Sequence, residues 1–198
     1  MSREPTRDAL IALHFQNDIC HAQGRIPFSL DRTNVEASKF MDASRRALVA
    51  ARTAGWVVAH MHIVFAEDYS DLLRNCRLFL MTETQGALKR GSWGASAYQG
   101  FEPAAGEIFV TGNANSAFRR TDLEAELRAN AITRVNLLGL ATQFSVEHTA
   151  RDAADMGYFV RVFSDCCISG DLEAHRASLR TLSLLAEVMP SEQAFRAQ

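Results

Sequence analysis

The sequence predicts a three-layer α/β/α sandwich around a mostly parallel, doubly wound sheet of about six strands, folded as a single domain over residues 1–198. Three observations carry this expectation. Apolar runs of strand length recur along the chain, amphipathic helical stretches separate them, and glycines such as Gly55 and Gly157 close the helices. Strands that alternate with helices form parallel βαβ units, which place helices on both faces of the sheet. With 198 residues and 47% hydrophobic content, the chain has enough apolar surface for one substantial core.

Residues 9–13 are apolar without a break, the pattern of a strand buried on both faces, and the polar cluster His14, Phe15, Gln16, Asn17, Asp18 follows at once. Residues 34–54 place Phe40, Met41, Ala47, Leu48 and Ala51 among charges, which predicts an amphipathic helix ending at Gly55 and leading into a strand over 56–65. Residues 66–106 are irregular, with a Gly/Ser cluster at Gly91, Ser92 and Gly94 around Trp93; long loops in a compact domain are often functional. Order returns with a strand at 108–111, a helix opening near 121–124 and a strand at 135–139. A helix over 143–156, a strand at 158–163, a helix over 172–185 and a short edge strand at 186–189 complete the chain. In such sheets the ligand crevice lies beyond the carboxyl ends of the strands. His14, Thr111 with Gly112, the turn from Gly139 to Thr142, and Ser164 with Asp165 fall at those ends.

A formal charge of -2 and a pI near 6.3 leave no excess of Lys and Arg to neutralise a phosphate backbone, so nucleic acid is not expected as a partner. The N-terminal residues carry charges of both signs before a short apolar run, and they read as neither a signal peptide nor a membrane span. A cytoplasmic protein with a small-molecule substrate or ligand is expected. Cys20, Cys76, Cys166 and Cys167 show no metal-ligand spacing, and the adjacent pair would bridge only with strain, so all four read as free thiols. His60 and His62 share one face of a strand, which is possible metal-ligand spacing, but flanking Met61 they read better as core and crevice lining. No metal or cofactor is expected. Trp93, Phe118, Phe144 and Tyr98 are candidates for an aromatic pocket lining.

The order and spacing of several fragments resemble the isochorismatase-like, or cysteine hydrolase, superfamily, which includes nicotinamidases, isochorismatases and several amidases. These fragments are the strand leading to Gln16, Asn17 and Asp18; Ser116, Ala117, Phe118 with Thr121, Asp122, Leu123; and the turn Gly139, Leu140, Ala141, Thr142. Thr149 to Ala153 and the pair Gly157, Tyr158 continue the likeness, which spans nearly the whole chain. The resemblance implies an Asp proton acceptor two residues before Gln16, a Lys four residues before Ser116 and a Cys nucleophile three residues after Thr142. Those positions hold His14, Gly112 and Ser145. It also implies a homo-oligomer, dimer or tetramer, and an oxyanion hole from the N–H groups of Ala141 and Ser145.

His14 and Ser145 form a combination that could replace Asp and Cys, because imidazole is the commonest general base and serine needs such a base within reach. Gly112 supplies no cation, and Asn113 and Asn115 offer hydrogen bonds without charge. The bland readings stand beside these: a satisfied core histidine, and a serine favoured at a helix start. His148, Glu147 and Arg151 read as helix-face residues, and Asp18 as the residue that fixes the first loop. Two functions are therefore expected: a divergent hydrolase of a small amide, ester or enol ether, using His14 as general acid/base and Ser145 as nucleophile, or an inactive relative that binds a small ligand or a protein partner in the same crevice.

Overall fold

The computed structural model describes residues 6–26, 30 and 35–196. Six strands form one sheet in the order β3-β2-β1-β4-β5-β6. They are β1 (Asp8–Leu13), β2 (Val57–Ile63), β3 (Ile108–Gly112), β4 (Arg134–Leu140), β5 (Phe159–Ile168) and β6 (Glu187–Met189). Every neighbouring pair is parallel, so the chain runs outward from β1 to one edge and then, from β4, to the other. This is the doubly wound α/β architecture that the alternating pattern predicts.

The central strand explains the layering. Leu10 and Ala12 of β1 pack into one core, with Phe40 and Leu48 of α2 (Val35–Thr53) and Ala194 of α7 (Ser191–Arg196). Ala9, Ile11 and Leu13 point to the other face and meet α4 (Leu123–Ala129), α5 (Glu147–Asp155) and α6 (Leu172–Leu182). Alternate side chains of a strand face opposite sides, so an unbroken apolar run is what a strand covered on both faces requires.

The structure adds elements to the expected set. A short helix, α1 (Asn17–Cys20), follows β1, and α3 (Arg77–Thr84) lies inside the segment expected to be irregular. The helix expected over 143–156 begins as a π-turn, Thr142–Val146, before α5. Strand β5 continues past Asp165, whose carboxylate accepts hydrogen bonds from Ser191 N (2.7 Å) and Ser191 Oγ (2.9 Å). The expected start of the first long helix, residue 34, lies outside the described residues.

The carboxyl ends of β1 and β2 are joined through one buried amide. Gln16 Nε2 donates to the carbonyls of Ile63 and Ala95, each at 2.9 Å, while Gln16 Oε1 accepts from Ile63 N at 2.9 Å. Next to it, Asp18 accepts from Leu88 N (2.7 Å) and Arg25 N (3.2 Å), and Asn17 Nδ2 donates to Trp93 O. A Cβ on Gly94 would stand 2.0 Å from Asp18 Oδ2, so the loop can approach this carboxylate only with glycine there. Together these bonds fold residues 88–97 against β1.

Replacing Gln16 by Leu keeps the volume but leaves one buried N–H and two buried carbonyls without partners. Each such group costs about 1–3 kcal/mol, and Gln16→Leu is expected to lower stability by about 3 kcal/mol in urea unfolding, with an unchanged m-value.

Candidate functional site

His14 lies one residue beyond β1 with φ +62°, a left-handed conformation in which histidine is among the enriched residue types. Its N–H donates to Met61 O at 2.9 Å, and its side chain is buried, with 2% exposure. Neither ring nitrogen has a hydrogen-bond partner among the described residues. Burial, and then the proximity of His62, push the His14 pKa down to about 3. The ring is therefore neutral near pH 7 and presents one N–H donor and one lone-pair acceptor.

The opposite wall comes from the end of β4. Gly139 has φ +135°, and a Cβ there would lie 2.2 Å from Leu13 O, so the strand can pass β1 at this point only as glycine. The Leu140–Ala141 peptide is cis, and the π-turn follows with Ser145 buried inside it. Thr142 Oγ1 is hydrogen-bonded to Nδ1 of His175, 2.8 Å away, which ties the turn to α6.

Between these walls lies a small crevice of about 40 Å³. It brings together His14, Ser145, Ala141, Phe144 and Asn115 from the residues singled out in the sequence. His14 and Ser145 face one space without a hydrogen bond between them, since both imidazole nitrogens are unpartnered. Asn115 Oδ1 is also buried without a partner. Leu78, Phe79 and Thr82 of α3, with Leu88, Ile63 and Ile26, complete much of the lining; sequence reasoning did not find them. The run Leu78, Phe79, Leu80, Met81 in the middle of the irregular segment was the one signal that could have.

The other candidates lie elsewhere. Trp93 is 52% exposed and its ring meets His21 edge-on, with centroids 5.0 Å apart. Phe118 stacks near Tyr158 within the second core. Gly112 and Asn113 border a separate depression beside Asp71, Arg90 and Arg120, where Asn113 Nδ2 donates to Asp71 O at 2.8 Å. The space a side chain at 112 would enter is already filled: a Cβ would stand 2.8 Å from Thr121 Cγ2 and 3.0 Å from Met61 Cε. His148 Nδ1 is 2.9 Å from Phe144 O, and Glu147 pairs with Arg151 at 2.8 Å.

His60 and His62 are both buried but engaged differently. His60 Nε2 is 2.9 Å from Glu107 Oε2, in a cluster where Arg52 also binds Glu107. The His62 ring meets Phe109 edge-on, and burial pushes its pKa down to about 4. Among the described residues no three His, Cys, Asp or Glu side chains gather in a way that could hold a metal ion. No helix among them is long and apolar enough to cross a membrane.

The chain is similar to known proteins along most of its length. A ureidoacrylate amidohydrolase, RutB, from Acinetobacter baylyi is 28% identical over 209 residues, covering 96% of this chain and 83% of the relative. A cysteine hydrolase from Pseudomonas syringae pv. phaseolicola superposes with a TM-score of 0.86 at 23% identity, covering 99% of this chain and 97% of that one. Nicotinamidase PncA from Bacillus subtilis superposes with a TM-score of 0.79 at 26% identity, covering 93% of this chain and 100% of its own. Residues 8–193 match the isochorismatase domain, and the chain belongs to the isochorismatase family.

Proposed function

We propose that this protein is a hydrolase that cleaves the C–N bond of a small amide, with His14 as general base and acid and Ser145 as nucleophile. The observation that carries the reading is the placing of a neutral imidazole, open at both nitrogens, and Ser145 in one crevice. The amidohydrolase and nicotinamidase names of the relatives favour an amide over an ester or enol ether. In this reading the positions where the family resemblance expects Asp, Lys and Cys are held by His14, Gly112 and Ser145.

The steps follow from the chemistry of these groups. Ser145 Oγ bonds to the carbonyl carbon as His14 takes its proton, and the C=O electron pair moves onto oxygen. Backbone N–H groups of Ala141 and Ser145 would donate hydrogen bonds to that oxyanion, the role usually worth most in acyl transfer. Collapse expels the amine, which receives the proton from His14; water then cleaves the acyl-serine by the same route and releases the acid. Because burial disfavours imidazolium, His14 holds a proton well only while an oxyanion stands beside it. Protonation is thereby coupled to the intermediate it serves.

A second reading has its own observation. His14 and Ser145 do not touch, and Met61 and Thr121 occupy the space beside Gly112, features that suit a pocket that binds without reacting. Ser145→Ala and His14→Asn, the latter keeping a residue tolerant of positive φ, separate the two. For a hydrolase, each variant is expected to retain the wild-type fold by circular dichroism and to lose at least ~10³-fold in kcat against a panel of primary amides. Amides that raise the melting temperature but are never consumed by the wild type would select the binding reading.

The buried imidazole also sets an acid sensitivity. As pH falls below 6.5 the unfolded chain takes up a proton at this histidine while the folded protein, with its value near 3, does not, so stability declines across that window. At about pH 4.5 one such group costs about 3 kcal/mol. Urea unfolding at about pH 7 and about pH 4.5 is expected to show a decline smaller by that amount in His14→Asn than in the wild type.

A further inference from the structure

We propose that the crevice selects an uncharged ligand with a compact apolar body and a polar end that both donates and accepts hydrogen bonds, and that it rejects ligands bearing a carboxylate. The selectivity belongs to the site of the proposed hydrolase and, as a statement about turnover, rests on that reading; as a statement about binding it stands on the lining alone.

Three features of the lining argue for it. Among the described residues none of those facing the crevice carries a formal charge, and its body is Ile19, Ile63, Leu78, Phe79, Leu88 and Phe144. A carboxylate placed there would lose its hydration with no Lys or Arg to replace it. The unpartnered polar atoms then define the complementary head group. Neutral His14 offers one donor and one acceptor, and Asn115 Oδ1 offers a second acceptor. A carboxylate, which only accepts, can satisfy one of these three; a carboxamide, with two N–H donors and a carbonyl, can satisfy all three. The free space in the crevice is small, about 40 Å³, which favours a compact body.

The test uses ligands matched in shape, titrated calorimetrically into the wild type and Ser145→Ala at pH 7. Valeramide and benzamide are expected to bind at least tenfold tighter than valerate and benzoate. Valeramide is also expected to bind at least tenfold tighter than succinamate, which keeps the amide and adds a carboxylate, and than N,N-dimethylvaleramide, which keeps neutrality and loses the donors. Asn115→Leu is expected to weaken valeramide and leave N,N-dimethylvaleramide unchanged. Acids or succinamate binding as tightly as the neutral amides would overturn the proposal, as would no measurable binding of either neutral amide at millimolar concentration. Neutral amides that bind Ser145→Ala selectively but are not cleaved by the wild type would remove the hydrolase reading and leave the selectivity standing.

Discussion

The architecture of the site depends on the side-chain amide of Gln16. A parallel sheet delivers its strand ends to one edge but does not by itself hold the loops that leave them. Gln16 supplies both a double donor and an acceptor at that edge, and it uses them on β2 and on the loop through Ala95. Complete satisfaction matters because every atom involved is buried, where an unpaired group is expensive. His14, two residues upstream, inherits its position from this anchor. So does the wall near Leu88, through the neighbouring Asp18 carboxylate.

Around that anchor the protein has divided its electrostatics. Charge is kept away from the crevice: hydrogen bonds from Arg52 and His60 hold the Glu107 carboxyl down at about 2 despite its burial. The crevice itself is neutral, with His14 disfavoured as a cation by burial. Any charge that appears there must be created by the ligand or by the reaction. A site of this kind has low reorganisation cost, because its dipoles are already placed by the backbone of β1 and β4.

Much of the fold was legible because its signals are local and repeated: unbroken apolar strands, helices with an apolar face, and glycines at helix ends. The misses have specific causes. Helix α3 escaped because Leu78, Phe79, Leu80 and Met81 are consecutive apolar residues; Phe79 is buried while Leu80 and Met81 are exposed, so the run carries no helical period. Strand β5 was expected to stop at Phe163 because Ser164 and Asp165 look like a turn, yet Asp165 is satisfied by Ser191, 26 residues on. The π-turn left no mark because one extra residue per turn does not alter which side chains are apolar. In the site, position along the sheet edge pointed to His14 and Ser145, which line one crevice, whereas an aromatic in a long segment was a poor guide: Trp93 belongs to the surface beside His21.

The tight surroundings of Gly112 bear on how such a chain can change over generations. Met61 could swing its terminal methyl aside, but Thr121 is pinned by the hydrogen bond from its hydroxyl to Ala117 O, leaving its methyl facing the glycine. A larger residue at 112 is thus incompatible with the present neighbour, while a smaller residue at 121 alone opens a void. Each single step is unfavourable and only the pair is tolerated, the non-additive relation expected of residues in contact. Placing a long side chain at this strand end is therefore a concerted change of two positions.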